Sequence, residues 1–497
     1  MSRFASVKDT FRMSLTNAMV ISVCVTDAVC IAYNGSLMGS LNVMPSYTDY
    51  FDLTTATTAV NTCSTMIGGT LVGPYTSYFS DKYGRKACIY LSCVINIIGA
   101  VLSGAAQNIG MFIAGRMIIG IGVAFAQTGA ATYVAETTPP RLRSFALGLY
   151  YSCWAIGSLL AASIAYGTAA LEPSTWAWRI PTVLQSALPI MAMGILLVLP
   201  ESPRWLAAQD RPEEALRVLS KVNEAPEDDA VVQIQYREIV DTIAFEKTEG
   251  RKYALAECVR TPPNRLRFIL ALSVAPLTML SGSNIITYYF GSMLNAAGVT
   301  APRTQLQINC ILSLWQLVIA ITGSALAEKA GRKVLALVSL SGCCIFFFML
   351  SGLTKAYGTS TNTSGIYGTV ACMFLFLGAY SIGMTPLTAI YPSEVLSYRM
   401  RATGLAWYGI ASNLAGVVAA MAFPYMMEAL GWKTYIANAG WNILFVAFVY
   451  FYWVETKGKT LEEIDILFDG EKHSDVPNLG ELDGVKEITV HTKDLDV

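Results

Sequence analysis

Twelve apolar runs, each about long enough to cross a bilayer as a helix, constrain this chain of 497 residues more than any other feature. A helix rises 1.5 Å per residue, so a hydrocarbon core about 30 Å thick takes roughly 20 apolar residues. Runs of that size, bounded by charge, fall at 18–40, 57–79, 87–106, 110–132, 144–168, 181–199, 268–290, 305–327, 334–354, 367–391, 402–424 and 435–454. With 54% apolar and 14% charged residues, lipid is the expected solvent. The fold class predicted is therefore an all-α membrane protein. Residues 1–17 are polar and basic, and no cleavable leader is expected.

The gap between the sixth and seventh runs reads differently. Residues 201–267 are charged, with apolar residues at helical spacing, which predicts short amphipathic helices in water. The expected organisation is an N-terminal segment 1–17, a six-helix half 18–200, a linker 201–267, a second six-helix half 268–454 and a tail 455–497.

Basic residues near span ends favour the cytoplasmic side. Arg3, Lys8 and Arg12 precede the first run; Lys82, Arg85 and Lys86 follow the second; Arg141 and Arg143 follow the fourth. Lys329, Arg332 and Lys333 follow the eighth, and Arg399 and Arg401 the tenth. Even-numbered spans then end inside, and both termini and the linker are predicted to be cytoplasmic. The sequon at Asn362 falls between the ninth and tenth runs, on the outer side, where it is a candidate glycosylation site. A second sequon at Asn34 lies inside the first run and is expected to be inaccessible.

The halves repeat each other at offsets of about 250 residues, as duplicated transporters do. Asp81-Lys-Tyr-Gly-Arg-Lys recurs as Glu328-Lys-Ala-Gly-Arg-Lys, Glu136 with Arg143 recurs as Glu394 with Arg401, and Glu201 in LPESPRWL echoes Glu455 in VETKG. These repeats predict a gate of ion pairs at one end, made by Asp81, Arg85, Glu136 and Arg143 with Glu328, Arg332, Glu394 and Arg401. Glycine-rich faces at Gly115, Gly120 and Gly122, and at Gly404, Gly409 and Gly416, predict close helix packing. Pro386 predicts a local helix break in the tenth run.

A net charge of -1 gives no reason to expect nucleic acid, and two histidines leave little for a multi-histidine metal site. The 11 cysteines are scattered, mostly inside apolar runs and without paired spacing, as small core residues are. No phosphate-binding GxxxxGK[ST] run occurs, and no nucleophile, base and oxyanion donors gather in one place. Neither an enzyme nor a cofactor is expected.

SDKYGRK, YVAETTPPRLRS, LPESPRWL, SGSNIITYY, AEKAGRK, YPSEVLSYRMRATG and VETKGKTLEEI, in that order, resemble the motif set of the sugar porter family of the major facilitator superfamily. NGSLMGSLNVMPSY and TPLTAIYPSEVLSYRMRATG are similar to its fungal lactose permease and hexose transporter branch. The resemblance implies the major facilitator fold, with 12 transmembrane helices in two six-helix halves and both termini cytoplasmic. It also implies alternating access and, for localisation, the plasma membrane.

Two departures bear on mechanism. Proton-coupled relatives carry GYD in the first span, its aspartate paired with an arginine of the fourth. Here the sequence is Ala32-Tyr33-Asn34-Gly35, with Arg116 in the fourth span. Asparagine takes up no proton, and facilitative relatives carry it at this position. Asp27, seven residues earlier and about 10 Å nearer the cytoplasm, is the alternative proton site. Asp27, Arg116 and Asn34 are therefore the proton-coupling candidates.

The second departure is the substrate pocket. Buried sugar hydroxyls need amide and hydroxyl partners, because an unmet polar group costs about 1–3 kcal/mol. Laid on the family motifs, Tyr151 replaces a span-5 glutamine, Thr278 and Met279 replace a span-7 pair, Asn284 is retained, Gln316 takes the span-8 position and Ala389 that of a tryptophan. Asn413, with Gln107, Asn108, Gln127 and Gln185, is a candidate to compensate. The function expected is transport of a mono- or disaccharide or related compound, facilitative or weakly proton-coupled. The alternatives are a carrier of a non-sugar metabolite on the same scaffold and a non-transporting sugar sensor. The partners expected are a small solute, the bilayer and, as a second candidate, protons.

Overall fold

The computed structural model describes residues 14–139, 142, 146, 153–249, 258–358, 360, 362–457 and 468. The described residues are helical throughout, apart from turns and short connections. Five long helices open the chain, α1 (Leu15–Leu41), α2 (Thr55–Tyr83), α3 (Arg85–Gly104), α4 (Ile109–Thr137) and α5 (Trp154–Thr168), with a single helical turn at Pro45–Thr48 between the first two. A bent pair follows, α6 (Trp176–Leu184) and α7 (Ala187–Leu196), and then two short helices, α8 (Pro203–Ala208) and α9 (Pro212–Asn223), and a longer one, α10 (Ala230–Glu249). A twice-broken segment, α11 (Pro262–Met279), α12 (Ser283–Tyr288) and α13 (Phe290–Ala296), leads into α14 (Pro302–Ala330), α15 (Arg332–Tyr357), α16 (Thr363–Val395), α17 (Tyr398–Leu430) and α18 (Lys433–Tyr452). Ten described helical segments are long and apolar enough to cross a membrane. The start of the fifth predicted span lies outside the described residues.

Local chemistry sets the helix starts. Thr54 and Thr57 form a reciprocal capping box on α2, Asn108 accepts from the Met111 amide at 2.9 Å to open α4, and Pro203, Pro212, Pro262 and Pro302 occupy first turns where no amide donor is needed. Close crossings are made at glycines. A Cβ on Gly120 would collide with the carbonyl oxygen of Thr65, one on Gly68 with that of Met117, and one on Gly39 with that of Thr287. Gly115, Gly122, Gly404 and Gly416 likewise lie against neighbouring atoms, but Gly409 has nothing within 4 Å and does not serve the packing expected of it.

The helix break is not where Pro386 suggested. α16 runs unbroken through Pro386, whose missing amide frees the carbonyl of Ile382, and Gly323 of α14 packs against that oxygen. The break falls in the seventh predicted span instead. Gly282 there has φ +105°, and a side chain at that position would strike the ring of Phe347. The carbonyls it releases are taken up by α18. Trp441 Nε1 donates to Leu280 O at 2.6 Å, and Asn442 Nδ2 to Ser281 O at 2.9 Å. Irregular backbone at membrane depth is tolerated only when such partners are supplied.

Buried side chains fall into three main cores. One is shared by both halves and joins Leu37, Tyr47, Phe112 and Trp178 to Ile285, Phe290, Phe347, Phe376 and Tyr435. The second holds only first-half residues, such as Val23, Ile89, Tyr133 and Leu196, and the third only second-half residues, such as Leu270, Leu335, Tyr391 and Trp453. The halves are thus packed together at the end where α1 finishes and packed separately at the end that carries the repeated charged motifs.

Gly120→Ala should destabilise the protein by about 1–3 kcal/mol, because α4 must move off α2. Gly440→Ala, at a helical site with open space around it, should be neutral or stabilising by up to about 1 kcal/mol. Thermal unfolding of the purified variants would check the contrast, and equal effects would contradict the crossing.

Candidate functional site

The charged motifs build one arrangement twice. In the first half Arg85, opening α3, sets its Nε 2.9 Å from Glu136 Oε2 at the end of α4 and its Nη1 3.3 Å from Asp81 Oδ1. Glu201 accepts the backbone amides of Arg85 and Lys86 at 3.1 Å, and Ser202 Oγ donates to Glu136 at 2.5 Å. In the second half Arg332, opening α15, pairs with Glu394 at 2.6 Å. Glu455 accepts the amides of Arg332 and Lys333 at 2.7 and 3.0 Å, and Thr456 Oγ1 donates to Glu394 at 2.6 Å.

Gly84 (φ +102°) and Gly331 (φ +97°) precede the two arginines, and a Cβ on either would run into the capping glutamate. Glycine is thus required at both positions for backbone angle and for close carboxylate approach. Each glutamate meets orphan amides at a helix N-terminus, where negative charge is favoured. Burial lifts the Glu201 carboxyl above the usual carboxylate range, and the amides of Ser202, Lys86 and Arg85 offset part of that rise.

The described ion pairs of these clusters join helices of one half. Arg143 lies outside the described residues, as do the side chains of Glu328 and Arg401. The capping role of Glu201 and Glu455 was not foreseen, although the LPES and VETK repeats carried its signal.

The proton-coupling candidates are all buried. Arg116 donates from Nη1 to the backbone carbonyl of Asn34 at 2.7 Å, and its Nε and Nη2 have no partner among the described residues. The Asn34 side chain donates to Asn96 Oδ1 at 3.3 Å. Asp27 Oδ2 is also without a described partner. Arg116 therefore meets a peptide dipole at Asn34 and not a carboxylate.

The substrate candidates do not gather in one place. Gln316 lines a recess of about 40 Å³ together with Ser36 of α1, Trp154 and Ser158 of α5, Thr287 of α12, and Asn309 and Ser313 of α14. That volume holds about three waters. Asn284 donates to Met279 O at 2.8 Å and so caps the break. Thr278 turns its hydroxyl back to Val274 O and Ala275 O, and Asn413 lies where α2 meets α17, near Gly69. Tyr151 is outside the described residues. Asn108 is a helix cap, and Gln185 donates to Thr182 O. Trp154, Asn309 and Ser313 were missed in the sequence, although Trp154 with Ser158, and Asn309 with Ser313 and Gln316, are polar or amphipathic positions at helical spacing on apolar helices. Asn362, at the exposed start of α16, accepts from the amides of Ser364 and Gly365.

A sequence profile described as sugar (and other) transporter matches residues 19–468. A high-affinity glucose transporter of Kluyveromyces lactis is 30% identical over 86% of this chain and 80% of its own length. A quinate permease of Neurospora africana is 27% identical over 88% of this chain and 86% of its own. Among solved structures, the inward-open xylose transporter XylE of E. coli superposes with a TM-score of 0.74 at 21% identity, over 91% of this chain and 100% of that one. The proton:xylose symporter XylE bound to 6-bromo-6-deoxy-D-glucose gives 0.73 at 20%, over 91% and 99%. At such identity the likeness establishes the major facilitator fold.

Glu201→Ala and Glu455→Ala should each destabilise their own half by about 1–3 kcal/mol, since backbone amides lose a buried acceptor. Amide hydrogen exchange at the starts of α3 and α15 would check this. Unchanged protection there would contradict the capping role.

Proposed function

The chain belongs to the sugar transporter family, a family of membrane carriers and not of enzymes, and from that premise we propose that it moves a mono- or disaccharide, or a related hydroxylated compound, across a bilayer by alternating access. The observation that carries this reading is the distribution of buried cores: one shared by both halves at one end, and one per half at the other. Two rigid halves joined at alternate ends are what rocking about a midplane site requires.

In the proposed topology α1–α5, the α6–α7 pair, the α11–α13 segment and α14–α18 make twelve spans. Both termini and residues 201–267 are cytoplasmic, the halves are 18–200 and 268–454, and the tail is 455–497. The motif clusters are then the inner gate, with Asp81, Arg85, Glu136 and Arg143 opposite Glu328, Arg332, Glu394 and Arg401. On this assignment the described arrangement faces inward. Asn362 lies outside, accessible to glycosylation, and the plasma membrane is the proposed location. Substrate contacts are assigned to Gln316, with Asn284, Asn413, Thr278, Met279 and Tyr151 from the surrounding helices.

Transport is proposed to be facilitative, because Arg116 faces the carbonyl of Asn34. The unpartnered Oδ2 of buried Asp27 supports a second reading, with the proton site moved about two turns inward along α1. Uptake of labelled glucose, lactose and cellobiose in a transporter-null host, at two pH values with and without uncoupler, is the test. Facilitation predicts saturable uptake that the uncoupler leaves unchanged, and collapse of uptake on uncoupling would contradict it. Sugar binding without flux would make the protein a sensor. Asp27→Asn should leave uptake unchanged at both pH values; loss of a pH dependence present in the wild type would move the proton site to Asp27.

A further inference from the structure

We infer that the buried guanidinium of Arg116 holds a chloride-sized monovalent anion, and that this anion joins the two halves at their packed end through Tyr47 and Tyr288.

Three charged side chains among the described residues are buried, Asp27, Arg116 and Arg267, at 4, 1 and 0% exposure. Each meets its burial differently. A carboxyl such as that of Asp27 can give up its charge by taking a proton, and Arg267 lies under the ring of Phe468 at 4.8 Å. A guanidinium keeps its charge at any pH the protein meets. Arg116 therefore carries a fixed positive charge into the interior, where one peptide carbonyl receives it, that of Asn34 at 2.7 Å. Its Nε and Nη2 are buried without a partner among the described residues. An unspent hydroxyl or amide elsewhere in the interior costs far less, because it is neutral.

The groups around Arg116 decide what can complete it. The ionisable side chains that act on it are Tyr47, from the helical turn Pro45–Thr48, and Tyr288, the last residue of α12. No carboxylate of the described residues is among them. Phe112, one turn before Arg116 on α4, packs its ring on that of Tyr47 at 5.3 Å. Both phenols have a proton to give. Tyr47 Oη accepts from Asn61 Nδ2, which leaves its O–H to donate, and the Tyr288 hydroxyl makes no hydrogen bond among the described residues.

Donors gathered about one positive charge suit an anion. A water there could accept from two donors and give a proton to the orphan Asn34 Oδ1, yet the charge would stand unanswered. Arg116 does not line the recess of about 40 Å³, which assigns it an occupant about the size of one water: a halide such as chloride, not an organic acid. With asparagine and not aspartate at position 34, the chain supplies no counter-charge of its own, and an ion from solution takes that role. Arg116 and Tyr47 belong to the first half and Tyr288 to the second, where its carbonyl already receives Asn42 Nδ2 at 3.1 Å. An anion shared among them stabilises the arrangement in which this end is packed.

Thermal unfolding of the purified full chain, at constant ionic strength with chloride exchanged for gluconate, and retention of radiolabelled chloride test the site. Chloride should raise the unfolding temperature saturably, bromide should replace it, and gluconate should not. Tyr288→Phe should raise the half-saturating chloride concentration about 3- to 10-fold. Asn34→Asp, which supplies the counter-charge from within, should abolish chloride binding. Equal unfolding temperatures in chloride and gluconate, no retention of labelled chloride, or an Asn34→Asp variant that binds chloride as the wild type does would each overturn the inference. Should Asn34→Asp fail to fold, an unchanged chloride affinity in Tyr288→Phe overturns it alone. Stabilisation by an organic acid such as quinate and not by chloride would also overturn it, by giving Arg116 to a solute. None of these results bears on whether the chain is a carrier, so the functional reading stands or falls separately.

Discussion

A backbone amide or carbonyl left without a partner in hydrocarbon costs several kcal/mol, and the departures of this chain from plain helix follow from how that cost is met. At Gly282 the helix stops, and the carbonyls of Leu280 and Ser281 are received by Trp441, Asn438 and Asn442 of α18. At the starts of α3 and α15 the free amides of the first turn are received by Glu201 and Glu455. The same carboxylates fix the residues beside them, because Ser202 and Thr456 hold the glutamates that pair with Arg85 and Arg332. One local need, satisfying a helix terminus, thus ties the third, fourth and sixth predicted spans of each half into a unit.

That rigidity gives the uneven packing between halves a mechanical meaning. Within each half the crossings are made at glycine, backbone against backbone, where no side chain can yield. Between halves the contacts at the far end are one such crossing, Gly39 against the Thr287 carbonyl, and single hydrogen bonds, such as Asn42 to the Tyr288 carbonyl and Asn309 to Ser40, resting on a shared apolar core. Such contacts can be exchanged for others at the opposite end without breaking either half.

The fold was largely legible in the sequence because its determinants are long-range in composition and short-range in position: apolar runs, bounding charges, and a duplicated DKYGRK-type motif. What escaped was three-dimensional compensation. Pro386 looked like a break because the sequence does not show that Gly323 accommodates the freed Ile382 carbonyl, and SGSN did not look like one because its rescuers lie far along the chain on α18. The site was less legible for the same reason. Thr278 and Asn284 have the side chains of a sugar site, yet they spend their donors on nearby backbone. Trp154, Asn309 and Ser313 lay outside the family positions and become visible only when α1, α5, α12 and α14 are brought together.

The central claim is that two rigid halves exchange contact at one end for contact at the other around a solute. Spin labels can test this directly in proteoliposomes, with one pair across the motif end at Lys82 and Lys329 and one across the far end at Asp52 and Thr300. Addition of a transported solute should produce a shorter distance population at the motif pair together with a longer one at the far pair. Distances that stay fixed at both ends, or that change in the same direction at both, would contradict the account.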